Sequence, residues 1–333
     1  MAEQVTAAVT DRKKRSAASR VLWCLKWLVI CLMLAELFLR LVLGLGHPIL
    51  FARDAACGYV VAPNQDLRRL FCLNQTNAQS MRSPPVLAVK PPGEFRVLFV
   101  GDSVTYGQTF TTQADIFTSI LARRLPGQLH RPVEVLNASA GGWAVANELG
   151  YLQSRGTFEA DLVVMVINSA DLTQSFNTDL PGLFPQFPDH NPPSALSELW
   201  DRYIKHMIFH VRVADRGSTI TPQLDGAQPV GATLAQLDEA RLISERSHAR
   251  FAIVYSPMLD ADGNLAPDPD GALTILKQWA QRTGVPILDL TPAYSAASTK
   301  VVLRDAAHLT PRGNRIVAAS IEQWQELTRY TIR

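Results

Sequence analysis

The stretch "VLFVGDSVTYG", Val97–Gly107, is an apolar, strand-like run that breaks into Gly-Asp-Ser. Ser103 at such a point can cap a following helix, or it can be a nucleophile. A hydroxyl is a poor nucleophile until a base takes its proton. The usual base is a histidine, itself oriented by a carboxylate. Of the seven histidines, His308 lies in "RDAAHLTPRGNRIVA", where Asp305 precedes it by three residues and a helical pattern follows. The other six lack an acid in a comparable setting. One late segment can therefore offer base and orienting acid together to a serine far earlier in the chain. His206 and His210 have metal-compatible helical spacing but no acidic or cysteine partner, which reads as a helix face rather than a metal site. This chemistry calls for neither a metal nor an organic cofactor.

The elements that must position these groups are legible as an alternation. Strand patterns occur at "RVLFVGDS", "PVEVLNAS", "DLVVMVINS", "ARFAIVYSP" and "VPILDL". Between them lie helical patterns: "DIFTSILARRL", with Ile116, Ile120, Leu121 and Leu125 on one face, then "AVANELGYLQSR", "LAQLDEARLISERS" and "ALTILKQWAQRTG". A last helix is expected through "PRGNRIVAASIEQWQELTRY". Short apolar strands alternating with amphipathic helices predict a five-stranded parallel sheet covered on both faces, a three-layer α/β/α sandwich. Ligands gather at the carboxyl ends of such strands, where Ser103 falls. Residues 172–233 break the rhythm and read as an insertion at the site edge, with one helical piece near "LSELWDRYIKHMIFHV".

The chain resembles the SGNH (GDSL) hydrolases. "GDSVTYG" is similar to that family's first block and "DAAHLTPRGN" to its last. The resemblance implies a flavodoxin-like SGNH fold, Ser103 as nucleophile and a triad completed by Asp305 and His308. "VEVLNASAGGW" resembles the second block, whose glycine donates an N–H to the oxyanion. That role falls on Gly142, with Gly141 the alternative, beside the Ser103 N–H. The third block departs. Aligning Asp171 with the family aspartate puts Ala170 where an oxyanion-binding asparagine belongs, and Asn168 at the glycine position. A missing donor costs about 2.7–4 kcal/mol of transition-state stabilisation. Asn168 is carried as the candidate substitute, with Asn147 behind it. Asp102 reads as a brace for the loop, and Trp143 as either a pocket wall or a packing residue.

The chain's start sets where this chemistry happens. The net charge of +2 is too small to suggest nucleic-acid binding. Residues 1–20 are polar and basic and read as an irregular cytoplasmic tail. They precede "WLVICLMLAELFLRLVLGL", Trp27–Leu45. Roughly 20 apolar residues span a bilayer as a helix, and a signal-peptide core is typically about 7–15 residues. The reading is a retained anchor at 21–46, with the positive flank inside and the rest exported. That makes an inner-membrane, single-pass protein facing the periplasm. Glu36 and Arg40 are four residues apart within the anchor, either self-paired or facing a membrane partner. Of four cysteines, Cys57 and Cys72 lie beyond the anchor and are candidates for a disulfide. Asn74-Gln75-Thr76 and Asn137-Ala138-Ser139 match the glycosylation triplet.

Residues 47–95 read as a lead-in that packs on a catalytic domain at 96–333; "CGYVVAPN" and "TNAQSMRS" are similar to segments of membrane-anchored, exported members. The resemblance and location together imply a serine esterase removing O-acyl groups, most simply acetyl, from an envelope or secreted glycan. An O-acyltransferase would use the same triad. A non-catalytic glycan-binding or scaffold protein is the third reading, motivated by Ala170.

Overall fold

The computed structural model describes residues 2–87, 89–178, 181–205, 227–266, 268 and 271–329, the side chains of 2–18 and 328 apart. His206 and His210 lie outside the described residues.

Helix α1 runs from Ala2 to Leu41. The expected irregular tail is helical instead. Residues 2–20 are rich in Ala, Lys and Arg, which favour helix, and the apolar segment that follows spares them the cost of nucleation. Its stretch Ser19–Leu41 is long and apolar enough to cross a membrane, and apart from its outer end, where Leu39 is buried, it stands clear of the domain. Two antiparallel hairpins follow: β1 (Phe51–Asp54) with β2 (Gly58–Val61), and β3 (Asp66–Arg69) with β4 (Cys72–Gln75). They have no core of their own. Cys57, Tyr59, Val60 and Met81 of this lead-in join the core of the main domain.

Five strands form one parallel sheet: β5 (Phe95–Gly101), β6 (Val133–Ser139), β7 (Leu162–Ile167), β8 (Arg250–Tyr255) and β11 (Ile287–Asp289). A two-residue pair, β9 (Met258–Leu259) with β10 (Leu265–Ala266), lies outside it. The sheet order is β11-β8-β7-β5-β6. Successive residues of β5 alternate between two cores. Leu98 and Val100 face one layer, Val97 and Phe99 the other. This is the pattern of a strand covered on both faces.

The first layer holds α4 (Val145–Arg155), α6 (Val230–Arg246) and α7 (Ala272–Thr283); the second holds α3 (Phe117–Leu129), α8 (Thr291–Ala297) and α10 (Pro311–Glu322). Short helices α2 (Ser103–Tyr106), α5 (Ala195–Leu199), α9 (Thr299–Val302) and α11 (Gln325–Thr328) complete the set. The single last helix expected from sequence is two, α10 and α11, broken at Gln323–Trp324. The Trp324 N–H turns back to the Ile321 carbonyl and Leu327 N–H bonds the Trp324 carbonyl, restarting the helix.

The expected disulfide is absent. Cys57 and Cys72 are both free thiols. Cys57 is buried and donates to Asp54 at 3.2 Å, and Cys72 donates to the Phe110 carbonyl at 3.1 Å. Burial, reinforced by Asp54, pushes the Cys57 thiol up to about 12, so it stays protonated. Neither glycosylation triplet presents its amide. Asn74 and Asn137 are buried, and the Asn137 amide donates to the Thr105 carbonyl and the Thr118 hydroxyl.

Candidate active site

Strand β5 pairs with β6 on one side and β7 on the other, so the chain's direction of winding reverses at β5. This is the switch point where crevices open in α/β sheets. The chain turns there from strand to helix within two residues. A side chain at Gly101 would put its Cβ 2.1 Å from Thr105 Oγ1, so only glycine lets α2 fold back this tightly. Asp102 caps α2, its Oδ1 accepting from the Val104 N–H at 2.8 Å. Ser103 is the first residue of α2.

His308 reaches Ser103 from the other end of the chain. Its Nε2 is 3.0 Å from Ser103 Oγ, and its Nδ1 is 2.8 Å from Asp305 Oδ2. Asp305 Oδ1 also accepts the N–H groups of Ala307 and His308, at 3.1 and 2.9 Å. A turn three residues long is thereby closed on its own carboxylate. Leu303 and Leu309 bridge the base of this turn, and Thr310 caps α10 behind it. Burial pushes the Asp305 carboxyl up, but the imidazole and the two backbone N–H groups outweigh it, so it ends below the usual range. With Nδ1–H donated to Asp305, the Nε2 lone pair faces Ser103. That is the arrangement by which an imidazole removes a hydroxyl proton.

The neighbouring strand ends supply the surroundings. After β6 the chain turns at Gly141-Gly142, and Gly142 has φ +77°, a left-handed conformation open to glycine. A Cβ at Gly141 would stand 4.0 Å from Ser103 Cβ. The Gly141 carbonyl accepts from Tyr59 Oη at 2.8 Å and the Gly142 carbonyl from Asn177 Nδ2 at 2.7 Å. In a trans peptide the N–H points opposite to the C=O. Tyr59 therefore fixes the Gly142 N–H in the direction away from the lead-in. Trp143 is buried, donates Nε1–H to the Tyr59 carbonyl at 2.8 Å and packs on Tyr151. It supports the glycine turn from beneath and offers no face to a pocket.

After β7, Asn168 is committed elsewhere than to an oxyanion. Its Nδ2 donates to Asp102 Oδ2 at 3.0 Å and its Oδ1 accepts from the Ala170 N–H at 2.8 Å. Asn147 is committed too. Its amide donates to the carbonyls of Cys57 and Asn177 and accepts from the N–H groups of Ala144 and Asn177. Ala170 is exposed at the start of a short 3-10 turn, Ala170–Leu172. Asp171 is buried, its Oδ2 accepting the Asn168 N–H at 2.8 Å.

Three groups of this site carry little sequence signal. Gln108 has φ +57° and holds its Nε2 2.5 Å from His308 Nε2. Only its place directly after the first block marks it. Buried Arg82 donates to the carbonyls of Tyr106, Gln108 and Thr111 at 2.6, 2.7 and 2.5 Å, fixing the loop that carries Gln108. Asp102, Glu148 and Asp171 form a buried acidic group beneath the nucleophile. Burial pushes Asp102 up to about 6, against the Val104 N–H and His308. Burial first and the neighbouring carboxylates second push Glu148 well up, and burial with Asp102 does the same to Asp171. Both Glu148 oxygens and Asp171 Oδ1 lack a hydrogen-bond partner.

His190 also has an acid, Asp189, at 2.6 Å, but the pair is exposed on the surface. Among the described residues, no cluster of His, Cys, Asp or Glu has metal-binding geometry.

Solved structures similar to the chain include a lipase/acylhydrolase from Enterococcus faecalis, at 14% identity and TM-score 0.44, covering 71% of this chain and 96% of that one. Another is a lipolytic G-D-S-L family protein from Veillonella parvula, at 13% identity and TM-score 0.41, covering 70% and 98%. A third is a two-domain esterase active on acetylated mannans, at 12% identity and TM-score 0.44, covering 71% and 50%. No curated protein sequence matches the chain. The profile of the GDSL-like lipase/acylhydrolase family matches residues 99–316, from β5 into α10 and well over half of the chain. On that match the chain belongs to the GDSL-like lipase/acylhydrolase family, the SGNH hydrolases, and is a serine ester hydrolase.

Proposed function

We propose that the protein is a membrane-anchored esterase that removes O-acyl groups, acetyl in the simplest case, from an envelope or secreted glycan. The observation that carries the catalytic part is the run of contacts Asp305–His308–Ser103, at 2.8 and 3.0 Å. Ser103 Oγ attacks the acyl carbonyl while His308 Nε2 takes its proton. Asp305 holds the imidazole tautomer and stabilises the imidazolium. The Ser103 and Gly142 N–H groups receive the oxyanion, and Asn168 braces Asp102 beneath them. His308 then protonates the leaving alkoxide, and water, activated by the same imidazole, releases the acid.

Retention of the anchor is supported by how α1 ends. Leu39 and Leu45 are buried with Ala195 of α5, and Glu36 accepts the N–H groups of Ala195 and Leu196, each at 2.9 Å. Cleavage after the apolar segment would strip these contacts from the domain. Glu36 thus meets its own chain, with Arg40 at 2.5 Å as a further contact. The basic residues before the apolar segment favour a cytoplasmic start and an exported domain.

The test is turnover of purified full-length protein with acetylated polysaccharide and with a small acetate ester. Free acetate as the product supports hydrolysis. An acetylated sugar acceptor, formed at the expense of free acetate, would replace hydrolysis by transfer. No turnover of any ester by folded protein would overturn the reading.

A further inference from the structure

The outer end of α1 is gripped by two pieces of the domain, and both carry exposed apolar side chains. The first is the β3–β4 hairpin. The Leu70 N–H donates to the Leu43 carbonyl at 2.8 Å, and Arg69 Nη1 reaches the Gly44 carbonyl at 3.3 Å. Its two-residue tip, Leu70-Phe71, has φ +46° and +67°. Asn-Gly is the usual occupant of such a tip, and bulky residues at positive φ are outliers. Here two large hydrophobes occupy it, Phe71 65% and Leu70 41% exposed. Neither turn chemistry nor packing within the domain accounts for that choice.

The second piece is α5 and the single π-helical turn after it, Trp200–Ile204. Glu36 receives the first N–H groups of α5, while Glu198 further along accepts from the Gly46 N–H at 2.6 Å and pairs with Arg69. The segment therefore climbs from the level of Glu36 toward the end of the anchor. At 1.5 Å per residue, the apolar stretch Ser19–Leu41 is about 35 Å long against a hydrocarbon core of about 30 Å, which sets Leu41 at the outer boundary. Glu36 is then about 7.5 Å deeper. Trp200, five residues beyond Ala195, returns to the boundary, with Tyr203 just above it. Both rings are exposed, Trp200 by 45%. Tryptophan and tyrosine concentrate at this depth of a bilayer, because one part of each ring is apolar and its tip is polar.

We propose that Leu70, Phe71, Trp200 and Tyr203 form an interfacial collar around the outer end of α1. The collar inserts into the outer edge of the bilayer in which α1 is anchored, and it seats the domain rigidly on the membrane surface. The active site is then held at a fixed height rather than swinging on a tether. This rests on the reading of α1 as a retained anchor.

The full-length protein, with Cys24, Cys31 and Cys72 replaced by Ser and buried Cys57 kept, is incorporated singly into phosphatidylcholine–phosphatidylglycerol nanodiscs. A polarity-sensitive fluorophore is attached at Phe71→Cys, Tyr203→Cys or, as an exposed site on another part of the domain, Leu87→Cys. Retained ester turnover verifies the fold of each labelled protein. Loss of the chain from the discs would remove the anchor reading itself. With the chain retained, blue-shifted emission at positions 71 and 203, quenched by brominated lipid, with an aqueous unquenched signal at 87, supports the collar. Aqueous emission at all three positions overturns it. So does a blue shift that brominated lipid does not quench, which would mean burial against protein.

Discussion

Gln108 Nε2 lies 2.5 Å from His308 Nε2, the same ring nitrogen that Ser103 Oγ approaches to 3.0 Å. A neutral imidazole whose Nδ1–H is given to Asp305 has one lone pair at Nε2. Two donors compete for it, and only one of them is the nucleophile. Gln108 is held there by its positive φ and by the grip of Arg82 on its carbonyl.

The first prediction is that Gln108→Asn raises kcat/KM for a small acetate ester. Asparagine tolerates the left-handed backbone, yet its shorter amide cannot reach the ring. A hydrogen bond of about 1 kcal/mol corresponds to roughly fivefold, the rise expected. An unchanged rate would show that the amide does not compete for the lone pair, and a lowered one that it assists the base.

The vacancy in the third block gives the second. Ala170 is exposed at the C-terminal end of β7, beside the strand that presents Ser103. Ala170→Asn is expected to restore an amide at this turn and to raise kcat by about tenfold or more, toward the roughly 10²–10³ worth of one oxyanion donor. Steady-state kinetics of a variant with wild-type melting temperature checks it; no change or a fall would show that the turn aims the side chain elsewhere.

Much of the site was readable in sequence because it is built from local rules. Gly101-Asp102-Ser103 is a strand end, a cap and a hydroxyl in consecutive positions. Asp305 and His308 lie on one turn. The rest depends on contacts between distant segments. Gln108 meets His308 across 200 residues of chain, Arg82 meets the 106–111 loop from the lead-in, and Glu36 meets α5 from the anchor. Trp143 could not be assigned from sequence, since only the fold shows its indole spent on Tyr59. The disulfide failed as an expectation for the same reason: spacing does not tell which way two thiols point.

The buried acids give a third prediction. The folded-state values of Asp102, Glu148 and Asp171 are raised by burial. Raised carboxylates favour the protonated native state, so their contribution to stability is full below the unfolded value near 4 and is lost as pH rises toward the folded value. For Asp102 that window is about 3.8 to about 6; for Glu148 it runs upward from 4.5. Glu148→Gln removes one of these losses. Its melting temperature should match wild type near pH 4 and exceed it at pH 8, by about 2–4 °C for each kcal/mol relieved. A difference independent of pH would mean that Glu148 titrates in the folded protein as it does in the unfolded chain, against a raised value.

Arg82 gives the fourth. Its guanidinium satisfies three carbonyls of one loop and stacks 4.8 Å over the Tyr106 ring. Arg82→Lys cannot serve the same fork. It is expected to cost about 2–4 kcal/mol in chemical denaturation, since a buried polar group left unpaired costs about 1–3 kcal/mol. A loss below about 0.5 kcal/mol would show that the loop holds itself.

The central claim is that Asp305 and His308 make Ser103 reactive. Covalent labelling of the full-length protein by a fluorophosphonate reads that property without any assumption about substrate. Labelling is expected on Ser103 in the wild type, not in Ser103→Ala, and at a rate reduced by about 10³-fold or more in His308→Ala. Absence of labelling in folded wild-type protein, or labelling that survives His308→Ala undiminished, would contradict it.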